Sequence, residues 1–126
     1  GLQENDFGVE CFFIDAGWYG HSSKYSKNEF EGDWGEHTGS WNINPTYHPD
    51  EFRDVCKALE ETDLKFLLWL EPERAINTTD WPTEHPEWFL TSEKDGDNVL
   101  LNLGNPDACN SCIELVSGII ENWLGI

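Results

Sequence analysis

The sequence has no methionine, and cations are scarce: 7 Lys and Arg stand against 25 Asp and Glu, giving a net charge of −18 over 126 residues. The acid is spread along the chain and not gathered in one tail. Nucleic acid and anionic membrane are therefore poor partners, since both ask for a basic face that neutralises phosphate. Long apolar runs are missing too. None approaches the ~18 to 20 residues that span a bilayer, and no charged start followed by an apolar middle marks a secretory leader. Without an initiator methionine, and running from Gly1 to an apolar end at Ile126, residues 1–126 are expected to be a piece of a larger domain. The compartment stays open.

Metal and redox chemistry lack their usual spacing. Cys109-Asn-Ser-Cys112 has the two-residue gap of zinc and redox sites, yet Cys11 and Cys56 sit singly in unrelated segments and supply no second pair. The plainer expectation is that Cys11, Cys56 and Cys112 are small apolar residues in a reduced interior. His21, His37, His48 and His85 show no metal-ligand spacing either. No metal site is expected.

Aromatics, by contrast, are plentiful. Seven Trp, seven Phe and three Tyr are too much apolar surface to leave in water, so this is not a disordered acidic chain. Val9 to Asp15 is a short, nearly continuous apolar run, as expected of a strand buried on both faces. A long stretch rich in Gly, Ser, Asn and Trp follows, to His48. Pro49 and Asp50 then open an expected helix whose Phe52, Val55, Cys56 and Leu59 form a one-sided stripe at helical spacing. Lys65 to Leu70 is a second strand-like run, and Pro72 stops it. A third run, Val99 to Leu103, precedes Asn105 as N-cap, Pro106 at the first helical position and Asp107 in the first turn. From Ala108 the apolar positions keep helical spacing to Trp123.

Strand, helix, strand, excursion and helix is the order of a parallel sheet with covering helices, an α/β fold. No Gly-rich phosphate loop follows any strand. Two strands end in carboxylates, at Asp15 and Glu71, and strand ends on one face of a (β/α)8 TIM barrel carry its active site. A partial barrel is the expected architecture, with three strands present and open edges that invite aggregation.

Asp15 at a barrel rim, beside Trp18 and under a loop holding Trp34 and Trp41, can accept hydrogen bonds from sugar hydroxyls while an aromatic face packs the sugar ring. Glu71 and Trp69 offer the same pair one strand along. Each residue alone would equally suit a turn cap or an ordinary core; the recurrence at two strand ends favours a ligand site. Glu71 and Glu73 share a face only if the strand continues past Pro72, so neither is expected to be catalytic. Glu71 is expected to orient its neighbours, and Glu73 to pair with Arg74 or another cation. Asn77-Thr78-Thr79 has the form of a glycosylation sequon.

In order, "FFIDAGWYG", "GSWNINPTYHP", "KFLLWLEPER", "EHPEWFL" and "LLNLGNPDA" cover nearly the whole chain and resemble the catalytic barrel of α-galactosidases of glycoside hydrolase family 36. The resemblance implies a retaining α-glycosidase without a cofactor, acting on α-galactoside oligosaccharides, with a homo-oligomeric parent as a further expectation. Its two catalytic carboxylates would lie about 5 to 5.5 Å apart. It also implies that the piece runs from the second barrel strand to the helix before the fourth, so that both catalytic aspartates lie outside it. Asp15 matches a binder of sugar hydroxyls, and Trp69 a tryptophan lining the sugar pocket; Trp18, Trp41 and Glu71 complete the expected binding set. Ala16 stands where many members carry a second aspartate, and Ser40 where many carry the acid of Gly-Asp-Trp, although Gly32-Asp33-Trp34 occurs nearby. Other readings are a non-catalytic carbohydrate-binding module, an α-N-acetylgalactosaminidase or an α-galactosyl transferase.

Overall fold

The computed structural model describes residues 8–21 and 32–124; residues 22–31 of the long stretch rich in Gly, Ser, Asn and Trp lie outside them. Two short strands, β1 (Cys11–Ile14) and β2 (Lys65–Leu68), pair in parallel with Ile14 opposite Leu68. Between them lies helix α1 (Arg53–Glu60). Its stripe forms as the spacing predicts, with Phe52 fully buried at its start, although the helix begins at Arg53 and not at Asp50. Residues 50–52 form a turn instead, with Glu51 in a left-handed conformation at φ 57°.

The third apolar run departs from expectation. Residues Asn98–Leu101 form β5, which lies between β3 (Arg74–Ile76) and β4 (Phe89–Thr91) and is antiparallel to both. Two parallel strands, not three, are therefore present among the described residues, and the excursion carries a sheet of its own. Between β3 and β4 sit the short helix α2 (Asp80–Glu84) and a 3-10 turn at Pro86–Trp88. Helix α3 (Pro106–Trp123) starts as the sequence predicts: Asn105 Oδ1 accepts from the backbone N–H groups of Asp107 at 3.0 Å and Ala108 at 3.3 Å. Such a cap contributes about 1 kcal/mol.

One aromatic cluster joins these parts. The Phe52 ring lies edge-on to Trp18, Phe66 and Trp123 at centroid distances of 5.8, 5.5 and 5.6 Å. Ile14, Phe66 and Leu68 from the sheet, and Leu115, Ile119 and Trp123 from α3, pack around it. Truncating a ring this buried would cost about 3 to 5 kcal/mol. Gly39 marks the tightest approach: at φ 112°, a side chain there would meet Thr79 Oγ1 and lie 2.7 Å from the Ala75 Cβ. That position locks the Trp41 loop onto β3.

The expectation of a strand buried on both faces fails for this chain. The face toward Phe52 is covered only in part, with Phe12 41% exposed, and the other face is bare: Phe13 and Leu67, opposite each other in register, are 47% and 51% exposed. A parallel pair normally carries cover on both sides. Cys11 is likewise exposed and not an interior residue, while Cys56 and Cys112 are half-buried and burial pushes both thiols up. Residues 1–126 produced alone should bind a hydrophobic dye strongly and melt without a sharp transition. A monodisperse monomer with a cooperative transition and no dye binding would contradict the bare sheet face.

Candidate functional site

β1 and β2 run parallel, so the residues that follow them emerge on the same edge. The Trp69 N–H donates to the Ile14 carbonyl at 2.9 Å, which extends the ladder one residue past the strands and sets Trp69 level with Asp15. Beyond Asp15 the chain must turn at once. Gly17 permits this at φ 98°, and its missing side chain lets Trp34 approach: a Cβ there would lie 3.3 Å from the Trp34 Cβ. Asp15 is exposed, and its Oδ1 accepts from the next backbone N–H, of Ala16, at 2.7 Å. Among the described residues no cationic side chain pairs with it.

The expected stacking role of Trp18 does not fit its position. It is 2% exposed, and its indole N–H donates to the Trp69 carbonyl at 2.7 Å, so it offers no face to a ligand. Trp18 supports the rim from behind. Trp41 is 9% exposed, lies 4.8 Å from Tyr19, and its buried indole N–H has no acceptor among the described residues. Trp69 is half-buried, stacked on Tyr19 at 6.0 Å and met edge-on by Trp34 at 6.0 Å. Of the three tryptophans expected at the site, Trp69 keeps the most open surface.

Glu71 carries the clearest electrostatic geometry. Its Oε1 and Oε2 accept from Arg74 Nε at 2.7 Å and Nη2 at 2.8 Å, a two-pronged pair, and the remaining Arg74 prong donates to Asn98 Oδ1 on β5 at 3.0 Å. The expected pairing of Arg74 with Glu73 is thus replaced by one with Glu71. The cause is the turn at Pro72, closed by the Arg74 N–H to the Glu71 carbonyl at 3.4 Å, which folds Glu71 back over Arg74. Hydrogen bonding to Glu71 pushes the Arg74 pKa up still further.

Tyr19 was not anticipated from sequence and sits at the centre of these groups. Its hydroxyl lies 3.2 Å from Thr38 Oγ1, and the charges of Arg74, Glu71 and Asp15 all act on it. Burial is the main reason that its pKa is pushed up to about 12. It therefore stays a neutral phenol at ordinary pH and is no proton acceptor. A separate groove, lined by Trp18, Trp41, Phe52, Leu115, Ile119 and Trp123 among others, runs between the Trp41 loop and α3 and includes neither Asp15 nor Glu71. No group of three or more metal-ligating side chains occurs among the described residues.

Known proteins share the sequence and the fold of this chain. Residues 2–124 match the melibiase family model. The chain is 28% identical to α-galactosidase AgaA of Geobacillus stearothermophilus over 93% of its length, and 31% identical to a probable α-galactosidase C of Aspergillus flavus over 91%. It spans 16% of the length of each. A solved α-galactosidase from Lactobacillus brevis superposes with a TM-score of 0.74 at 26% identity, over 95% of this chain and 16% of that one. The AgaA structure with raffinose gives 0.73 at the same identity, over the same shares of the two chains. The chain belongs to the melibiase family, and the solved relatives that it resembles are α-galactosidases of glycoside hydrolase family 36.

Proposed function

We propose that these residues form part of the (β/α)8 catalytic barrel of a longer retaining α-galactosidase, and that they contribute to binding the terminal sugar without supplying the reacting carboxylates. One observation supports this above the rest: an uncovered carboxylate, Asp15, stands level with the partly exposed Trp69 on the shared edge of two parallel strands. An acid there offers a charged acceptor to hydroxyls, and the ring an apolar wall for the sugar's C–H face. Substrate binding at that edge agrees with the general placement of sites in barrels.

The substrate class follows from the relatives. AgaA has been solved with raffinose and with stachyose, both bound as oligosaccharides, and an α-galactoside is the reading we carry over. Glu71 is tied up by Arg74 on both oxygens, which suits it for holding a fixed position and not for moving a proton. Neither it nor Asp15 is assigned chemistry. The bare face bearing Phe13 and Leu67 would be covered by the remaining barrel strands.

Two outcomes are expected. Residues 1–126 alone should not hydrolyse an aryl α-galactoside at any pH; turnover that survives rigorous purification and disappears in Glu71→Gln would show that the chemistry lies here after all. In the longer protein, Asp15→Asn keeps the shape and removes the charge. Its kcat/KM should fall on the order of tenfold to several hundredfold, matching about 1.5 to 3 kcal/mol for hydrogen bonds to a charged group. The melting temperature should hardly move. A lowered melting temperature with unaltered kinetics per folded molecule would make Asp15 a turn cap and nothing more.

A further inference from the structure

Arg74 lies on the excursion sheet, yet two of its guanidinium nitrogens reach across to Glu71 in the segment that follows β2. Nε and Nη2 grip both oxygens of Glu71, and Nη1 is anchored by Asn98 Oδ1. Asn98 is itself held: its side-chain amide donates to the Asp95 carbonyl at 3.2 Å, and β5 pins it opposite Ile76 on β3. Glu71 is thereby oriented by a chain of bonds running into a rigid antiparallel sheet. A carboxylate has about four lone-pair positions, of which Arg74 occupies two. The other two are left with a fixed direction. Planar, two-pronged pairing confers that geometric control, and the point charge of a lysine cannot reproduce it.

We infer that Arg74 is a positioning residue for sugar recognition: it fixes Glu71, two residues past the Trp69 that stands level with Asp15, so that the free lone pairs of that carboxylate act as a preset acceptor at the same strand edge. This rests on the α-galactosidase reading and adds to it a part for the excursion sheet. Without Arg74, Glu71 would be an unpaired anion on flexible bonds. A sugar would then have to order the side chain on arrival. The loss should fall on binding, so that KM rises while kcat changes little.

The test is a double-mutant cycle in the longer protein, with Arg74→Met, Glu71→Gln and the pair together, read by steady-state hydrolysis of an aryl α-galactoside alongside thermal melting. Arg74→Met should lower kcat/KM about tenfold through KM in the parent background, and by less than about twofold when Glu71 is already Gln, because Arg74 acts only through that carboxylate. Arg74→Lys should recover part of the loss, and it replaces Arg74→Met in the cycle if the Met variant fails to fold. An equal loss in both backgrounds, or unchanged kinetics with only a lower melting temperature, would overturn the inference while leaving the α-galactosidase reading intact. A parent protein that neither binds nor hydrolyses α-galactosides would overturn that reading, and this inference with it.

Discussion

The bond from the Trp18 indole N–H to the Trp69 carbonyl, 2.7 Å long, joins the segments that follow the two parallel strands. Each of those segments leaves the sheet at once, β1 through the glycine turn at Gly17 and β2 through Pro72. The first is then caught by an antiparallel bridge between Tyr19 and Ile43, and the second by β3 of the excursion sheet. By accepting from Trp18, the Trp69 carbonyl is tied to the loop that carries Tyr19, while the bond from the Trp69 N–H to the Ile14 carbonyl keeps Trp69 level with Asp15. Trp18 can do this only because its ring is buried, against Phe52 on one side and Tyr19 on another. Core packing and site geometry therefore depend on one residue.

The two sheets divide the work. The parallel pair sets the positions of Asp15 and Trp69, while the antiparallel sheet holds Glu71 through Arg74 and Asn98. Their connection is the aromatic loop: the Ile76 N–H donates to the Thr38 carbonyl at 2.8 Å, the Trp81 N–H to the Gly39 carbonyl at 3.2 Å, and Thr79 Oγ1 lies 3.2 Å from the Thr38 carbonyl. Thr38 in turn shares its hydroxyl with Tyr19. Buried polar groups that are paired in this way specify one arrangement, since shifting either sheet would leave several of them without partners.

Much of this was legible in the residues. The apolar runs of β1 and β2, the Phe52 stripe and the Asn105-Pro106-Asp107 start of α3 are local signals, and each element formed near its expected place. The excursion sheet was not legible, because β3 and β4 are three residues each and their pairing with β5 is made by contacts distant in sequence. Val99 to Leu103 has the same apolar character whether it joins a parallel or an antiparallel sheet. Trp18 misled for a related reason: a tryptophan near a strand-end acid looks the same in sequence whether its ring faces a ligand or the core. Glu73 was the wrong partner for Arg74 because adjacent residues on an extended chain point to opposite faces, whereas the turn at Pro72 returns Glu71 to the correct side. Tyr19 carried no signal beyond its neighbours; only its contact with Thr38 sets it among the charged groups.

The most direct measurement is a crystal structure of the longer protein with an α-galactoside oligosaccharide bound. The expected result has the Asp15 carboxylate about 3 Å from hydroxyls of the terminal sugar, as a hydrogen bond requires, with Trp69 against the ring and Trp18 still donating to the Trp69 carbonyl. A sugar bound elsewhere, with Asp15 turned to solvent and Trp69 covered by protein, would contradict the central claim that this strand edge is a sugar-binding surface.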